Sequence, residues 1–172
     1  MNIGTKKCKK ILLTAHSTQS TNLLSPIAVA QIWFQDYTLD QISFLSKNNM
    51  LEHIGIEITE LGADYIKARM PVDHRTVQPM NILHGGASVA LAESLGSIGA
   101  YLTVDINRYH CVGMEINANH LRPVHSGEVV YAVAKPIHIG KKSQVWSIEI
   151  TNAENKLVCI SRITMAVIDK IK

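Results

Sequence analysis

Residues 84–100 read HGGASVALAESLGSIGA. Gly, Ala, Ser and Leu dominate the stretch, and one carboxylate, Glu93, stands near its middle. The pattern predicts a helix from about Gly85 to about Thr103. Val89, Ala92, Gly96 and Gly99 fall on one stripe, small enough for close packing against a sheet. Gly85 and Gly86 open the helix. Backbone N–H groups there lack helical acceptors and point out with the positive end of the dipole. Such an end suits a developing oxyanion. Glu93 lies about two turns further on, and Ser97 one turn beyond it on the same face. An ordinary helix acid is solvated or paired at an interface. An acid buried among these small and apolar neighbours has to be paired or catalytic. Periodicity leaves both readings open.

Working outward, Thr38 with Gln41 forms a capping-box start, and Leu39, Ile42 and Leu45 follow at helical spacing. This predicts a short helix ending near Asn48. From Ile54 the period becomes two: Ile54, Ile56 and Ile58 alternate, LGAD (61–64) turns, and Ile66, Ala68 and Met70 resume. That is a hairpin. Residues 73–83 contain Pro79 and no period, so they form a loop. Beyond the long helix come strands over roughly 110–121, 128–139, 144–151 and 157–168, with Trp146, Ile148 and Ile150 on one face. Runs of strands joined by short turns favour an antiparallel sheet, and one long helix must cover a face of it. The fold class is therefore α+β. The basic, aperiodic residues 1–31 are expected to form a disordered tail, and 32–172 the single domain. The N-terminus starts like a signal peptide, but HSTQSTN interrupts its apolar part, so export is not expected.

The 172 residues are 47% hydrophobic and 18% charged, an ordinary globular balance. Aromatics are only 5%, so aliphatic side chains build the core. A net charge of +3 argues for no nucleic-acid partner. No apolar run has the roughly 18 residues of a membrane helix. Three scattered cysteines, without a CxxC pair, imply neither a disulfide framework nor a zinc site, and suit a cytoplasmic location. The eight histidines form no HExxH-like pair, so no metal is expected. GKKS at 140–143 echoes a phosphate-binding loop, but Lys135 stands where its upstream glycine should be.

Three segments together carry a resemblance: QPMNILHGGASVALAESLGSIGA, VGMEINANHLRPV and KPIHIGKKSQVWSIEI. They resemble the hotdog-fold thioesterases, PaaI-like in type. Particularly similar are the menaquinone-pathway 1,4-dihydroxy-2-naphthoyl-CoA thioesterases and the enterobactin-pathway proofreading thioesterases. The resemblance implies a central helix wrapped by an antiparallel sheet. It implies homodimers that pair into tetramers, with sites at the dimer interface. It implies hydrolysis of an acyl-CoA thioester with an aromatic acyl group, coenzyme A entering only as part of the substrate.

By position, Glu93 matches the catalytic carboxylate, as nucleophile or general base. The Gly85 N–H matches the donor to the thioester carbonyl. Gln78 and His84 match residues lining the reaction centre, and Ser97 a hydroxyl that positions water or the acyl group. Gly86, His120, Arg122, Lys141, Lys142 and Ser143 are expected contacts to substrate or to coenzyme A, the other reading being a solvated turn at the lysines and surface positions for His120 and Arg122. The chemistry holds on its own terms: a helix N-terminus polarises a carbonyl without a metal, and a carboxylate attacks or activates water. PMNIL departs from the relatives' aromatic and glycine, and His74 replaces a small residue, which bears on substrate choice. Other readings are a thioesterase acting on a carrier protein, a module that binds acyl-CoA without turnover, and a hotdog dehydratase using Glu93 and His84.

Overall fold

The computed structural model describes residues 31–170, so all of the expected tail but its last residue lies outside the described part. Thr38 caps α1 (Leu39–Ile42) as expected, its hydroxyl accepting the Gln41 N–H while the Gln41 side chain accepts the Thr38 N–H. The helix predicted to run to Asn48 instead tightens into a 3-10 turn over Ser43–Ser46. Ser43 and Ser46 donate their hydroxyls to the carbonyls of Asp40 and Ser43, a local competition that shortens helices. Asn49 then caps a second short helix, α2 (Met50–Ile54), which ends on Gly55 at φ 77. Ile54, expected at the start of a strand, belongs to this helix. The strand starts three residues later, as β1 (Glu57–Leu61).

β2 (Ile66–Pro71) completes the hairpin. α3 (Gly85–Leu102) matches the long predicted helix to within a residue. β3 (Tyr109–His120), β4 (Val129–Ile139), β5 (Ser143–Thr151) and β6 (Leu157–Asp169) follow. All strand pairs are antiparallel, and the sheet order is β1-β2-β4-β5-β6-β3. This is the α+β arrangement that the resemblance implies, with one sheet wrapped around one helix.

The small residues of α3 serve the close approach. A Cβ on Gly96 would stand 2.5 Å from Cγ2 of Ile163, and one on Gly99 would stand 2.8 Å from the Trp146 ring. Ala92 is fully buried, but Val89, expected on this stripe, is half-buried and faces a groove on the other side of α3. Trp146 is the largest fully buried side chain and stacks on Trp33 at 6.3 Å. Its indole N–H donates to Gln144, Gln144 donates to the Thr103 hydroxyl, and that hydroxyl donates to the Ala100 carbonyl. Helix end and sheet are thereby tied together by a buried, satisfied polar chain.

Candidate active site

The start of α3 is set by hydrogen bonds from the loop before it. The His84 N–H donates to the Thr76 carbonyl at 2.8 Å. The buried Thr76 hydroxyl bridges the Pro71 carbonyl and the Asp73 N–H. Arg75 grips Asp73 with its guanidinium and backbone N–H, which holds that carboxyl down at about 2. Thr76 was not singled out from the sequence. A lone Thr in a loop carries no signal until its neighbours are known.

His84 is the N-cap. Its Nδ1 accepts the Gly86 N–H at 2.8 Å, so Nδ1 carries no proton there. A Cβ on Gly86 would stand 2.9 Å from that nitrogen, and this explains the second glycine of HGG. The Gly86 N–H, expected among the substrate contacts, is thus already taken by His84. The Gly85 N–H has no acceptor among the described residues. It opens into a cleft of about 370 Å³ lined by Gln78, Gly85, Ser88, His120 and Arg122. In this cleft Gln78 has a fixed orientation. Its Oε1 accepts the Met80 N–H at 2.9 Å, and since a backbone N–H only donates, the carboxamide must turn its NH2 away from Met80. Gln78 is therefore a donor, with both N–H groups left over.

Glu93 occupies a different opening. Eight residues of helix separate it from Gly85, about 12 Å along the axis. It lies exposed in a groove of about 590 Å³ with Gly86, Val89, Ala90, Ser97 and Ile98 on α3, and Leu45, Met50 and Leu51 opposite. Glu93 is therefore not the buried acid its neighbours in sequence suggested: its face of α3 is the open one. Ser97 lies one turn on, its hydroxyl donating to Sδ of Met165. On the flank stands β3, where a Cβ on Gly113 would meet Oε1 of Glu93 at 3.1 Å. The β3–β6 register shifts between Gly113 and Glu115. A glycine and a bulge beside an acid make room for it. Gly113 was missed from the sequence, although a glycine inside a strand pattern signals a bulge or a close approach.

Lys141, Lys142 and Ser143 stand at the β4–β5 turn, and the two lysines, though not Ser143, line a third cleft of about 710 Å³ with Phe34, Thr103, Arg108 and Asp169. Lys142 pairs with Asp169 at 3.4 Å on the surface. This cleft adjoins the C-terminal end of α3, about 27 Å along the axis from Gly85 but about 15 Å from Glu93. One chain thus brings Gln78, Gly85, His120 and Arg122 together. It sets Glu93 with Ser97 apart from them, and the lysine turn further still.

Residues 80–159 match the family model described as the thioesterase superfamily. The crystal structure of a thioesterase from Haemophilus influenzae shares 49% identity and a TM-score of 0.78, covering 83% of this chain and 98% of that one. The chain belongs to the thioesterase superfamily. It has the hotdog fold and is a thioester hydrolase. A 1,4-dihydroxy-2-naphthoyl-CoA hydrolase of Escherichia coli is 44% identical to this thioesterase over 137 residues, 80% of this chain and 99% of that protein. A proofreading thioesterase of Cronobacter turicensis is 46% identical over 136 residues, 79% of this chain and 98% of that protein. Among the described residues of this thioesterase, no helix is long and apolar enough to cross a membrane.

Proposed function

We propose that this thioesterase hydrolyses an aromatic acyl-CoA in a site shared by two copies of the chain. Glu93 of one copy attacks the thioester carbon or activates water. The Gly85 N–H and the Gln78 carboxamide of the other polarise the carbonyl oxygen. Coenzyme A enters only as part of the substrate. The observation that carries this reading is the separation just described. Glu93 and Gly85 open into different clefts about 12 Å apart along one helix, too far to act on one carbonyl.

The free edge supports a second copy. Among the described residues β3 pairs only with β6, and its twelve residues leave Val112 and Met114 exposed. A long apolar edge strand ordinarily needs a cover. Antiparallel pairing of two β3 strands centred near Ile116 and Asn117 sets His120 of one copy opposite Gly113 of the other. His120 lies over Gly85 and Gly113 lies against Glu93, so this pairing joins the two half-sites. Dimers that pair further into tetramers fit the same closed symmetry.

The aromatic preference rests on the groove beside Glu93, walled by Leu45, Met50, Leu51, Val89, Ala90 and Ile98. It also rests on relatives whose names include a naphthoyl-CoA hydrolase. Release of free thiol from a panel of acyl-CoAs tests it: benzoyl- and naphthoyl-CoA should turn over with higher kcat/KM than straight-chain esters of equal carbon number. A preference for the straight chains would reject the aromatic assignment. Cys111 and Cys159 form no disulfide among the described residues, which accords with a cytoplasmic setting.

The lysine turn lies about 15 Å beyond Glu93, roughly the reach of an extended pantetheine arm. Lys141, Lys142 and Ser143 are therefore proposed to meet the phosphates of coenzyme A. Replacing both lysines by alanine should raise KM for acyl-CoA several-fold and leave kcat nearly unchanged, since the phosphates bind alike in ground and transition states. The same variant should match wild type on an acyl-pantetheine, which has no nucleotide. Equal losses on both substrates would remove the lysines from phosphate binding and favour a carrier-protein substrate.

A further inference from the structure

The first glycine of HGG is explained by a residue far away in sequence. A Cβ on Gly85 would stand 2.9 Å from Nε2 of His120 and 3.3 Å from its Cδ2 and Cε1. The imidazole at the end of β3 thus lies against the backbone whose N–H is free. It shares that cleft with the Gln78 carboxamide and with Arg122, two residues on, whose guanidinium donates to the Leu157 carbonyl.

The two openings on α3 differ in chemistry. The groove beside Glu93 has the apolar walls that suit an acyl group. The cleft at Gly85 has an imidazole, a carboxamide and a guanidinium, polar groups that suit the sulfur side of the thioester rather than an acyl chain. A thioester whose carbonyl oxygen rests on the Gly85 N–H has two substituents to place. Its acyl group goes to the apolar side, and its sulfur goes to the side of His120.

We propose that His120 is a catalytic residue that protonates the departing sulfur. This rests on the reading of Gly85 and Glu93 given above. In the step, water gives a proton to the Glu93 carboxylate as its oxygen bonds to the carbonyl carbon. The C–S bond then breaks with its electron pair on sulfur, and that sulfur takes the Nε2 proton of His120. Glu93 returns its proton to solvent and His120 regains one. The net change is thioester plus water to acid plus thiol. His120 then stands at the reaction centre, where the resemblance implied only a contact to coenzyme A.

The test varies the leaving group at a constant acyl group, with no nucleotide present. Two benzoyl thioesters are compared, one of N-acetylcysteamine and one of 4-nitrothiophenol, whose thiol is far more acidic and needs no proton to leave. His120→Ala should lower kcat on the alkyl thioester by about 100-fold, the range of a positioned acid. It should stay within a few-fold of wild type on the aryl thioester. His120→Gln keeps a hydrogen-bond donor of similar size but releases no proton, so it should behave like His120→Ala. Equal losses on both thioesters, or rescue by Gln, would make His120 a hydrogen-bonding or packing group and overturn the proposal. So would a change confined to KM for acyl-CoA. Glu93→Gln is run on the same pair. If it is inactive on both while His120→Ala shows no leaving-group dependence, only the His120 assignment falls. If it is fully active on both, the reading beneath it falls too.

Discussion

Glu93→Gln should lower kcat by about 10²–10⁴-fold, the range a positioned acid or base contributes, while KM for an aryl-CoA changes little. The substitution keeps the shape and removes the charge. Among the described residues nothing needs that charge, since Glu93 is exposed on the open side of α3 and forms no ion pair with any of them. The melting temperature should therefore stay near that of wild type. Its carboxylate instead has space reserved for it, by the glycine and the bulge in β3. A residue kept in place by the absence of a neighbouring side chain is held for chemistry rather than for packing. Steady-state kinetics on benzoyl- or naphthoyl-CoA measures this. Wild-type kcat in the variant would remove Glu93 from the mechanism.

The largest stability effect should come from Trp146→Ala, a loss of about 3–5 kcal/mol. Trp146 is fully buried and fills the space that Gly99 leaves on α3. It also stacks on Trp33 and is hydrogen-bonded to Gln144. Removing the ring opens a cavity between helix and sheet, and leaves a buried Gln144 oxygen without its donor. Thermal unfolding should show a fall of about 10 °C for a chain of this size. A loss under about 1 kcal/mol would mean that the helix collapses onto the sheet without Trp146, contrary to the close packing at Gly96 and Gly99.

How legible these features were in the sequence depended on how local their causes are. α3 and the four long strands came out within a residue or so because each buries a face along its whole length. That burial writes period 3.6 or period 2 into the sequence. The segment over 38–58 misled because Ile54, Ile56 and Ile58 alternate across a helix end. Asn49 before Met50 and Gly55 after Ile54 were the local signals of a short helix, and they mark α2 better than the isoleucines mark a strand. In the site, Glu93, Gly85 and Gln78 could be named from their motif. The reason each position is glycine could not be read there, since Gly86 answers to the adjacent His84 and Gly85 to His120, 35 residues on. Thr76 and Gly113 act through backbone contacts that only the folded chain brings together. The distance between Glu93 and Gly85 was present in the helical spacing. Its consequence, two half-sites facing different ways, needed the clefts on either side of α3 to be seen.

Complementation between two inactive variants tests the shared site most directly. Glu93→Gln and Gln78→Ala are purified separately, mixed, unfolded together and refolded. If the site joins Glu93 of one copy to Gln78 and Gly85 of the other, each mixed dimer contains one site with both defects and one site with neither. Random pairing makes half the dimers mixed, so the mixture should regain about a quarter of wild-type activity. Each variant refolded alone should stay at its own low level. A mixture no more active than the mean of the two parents would show that each chain carries a complete site, and the shared-site account would be wrong.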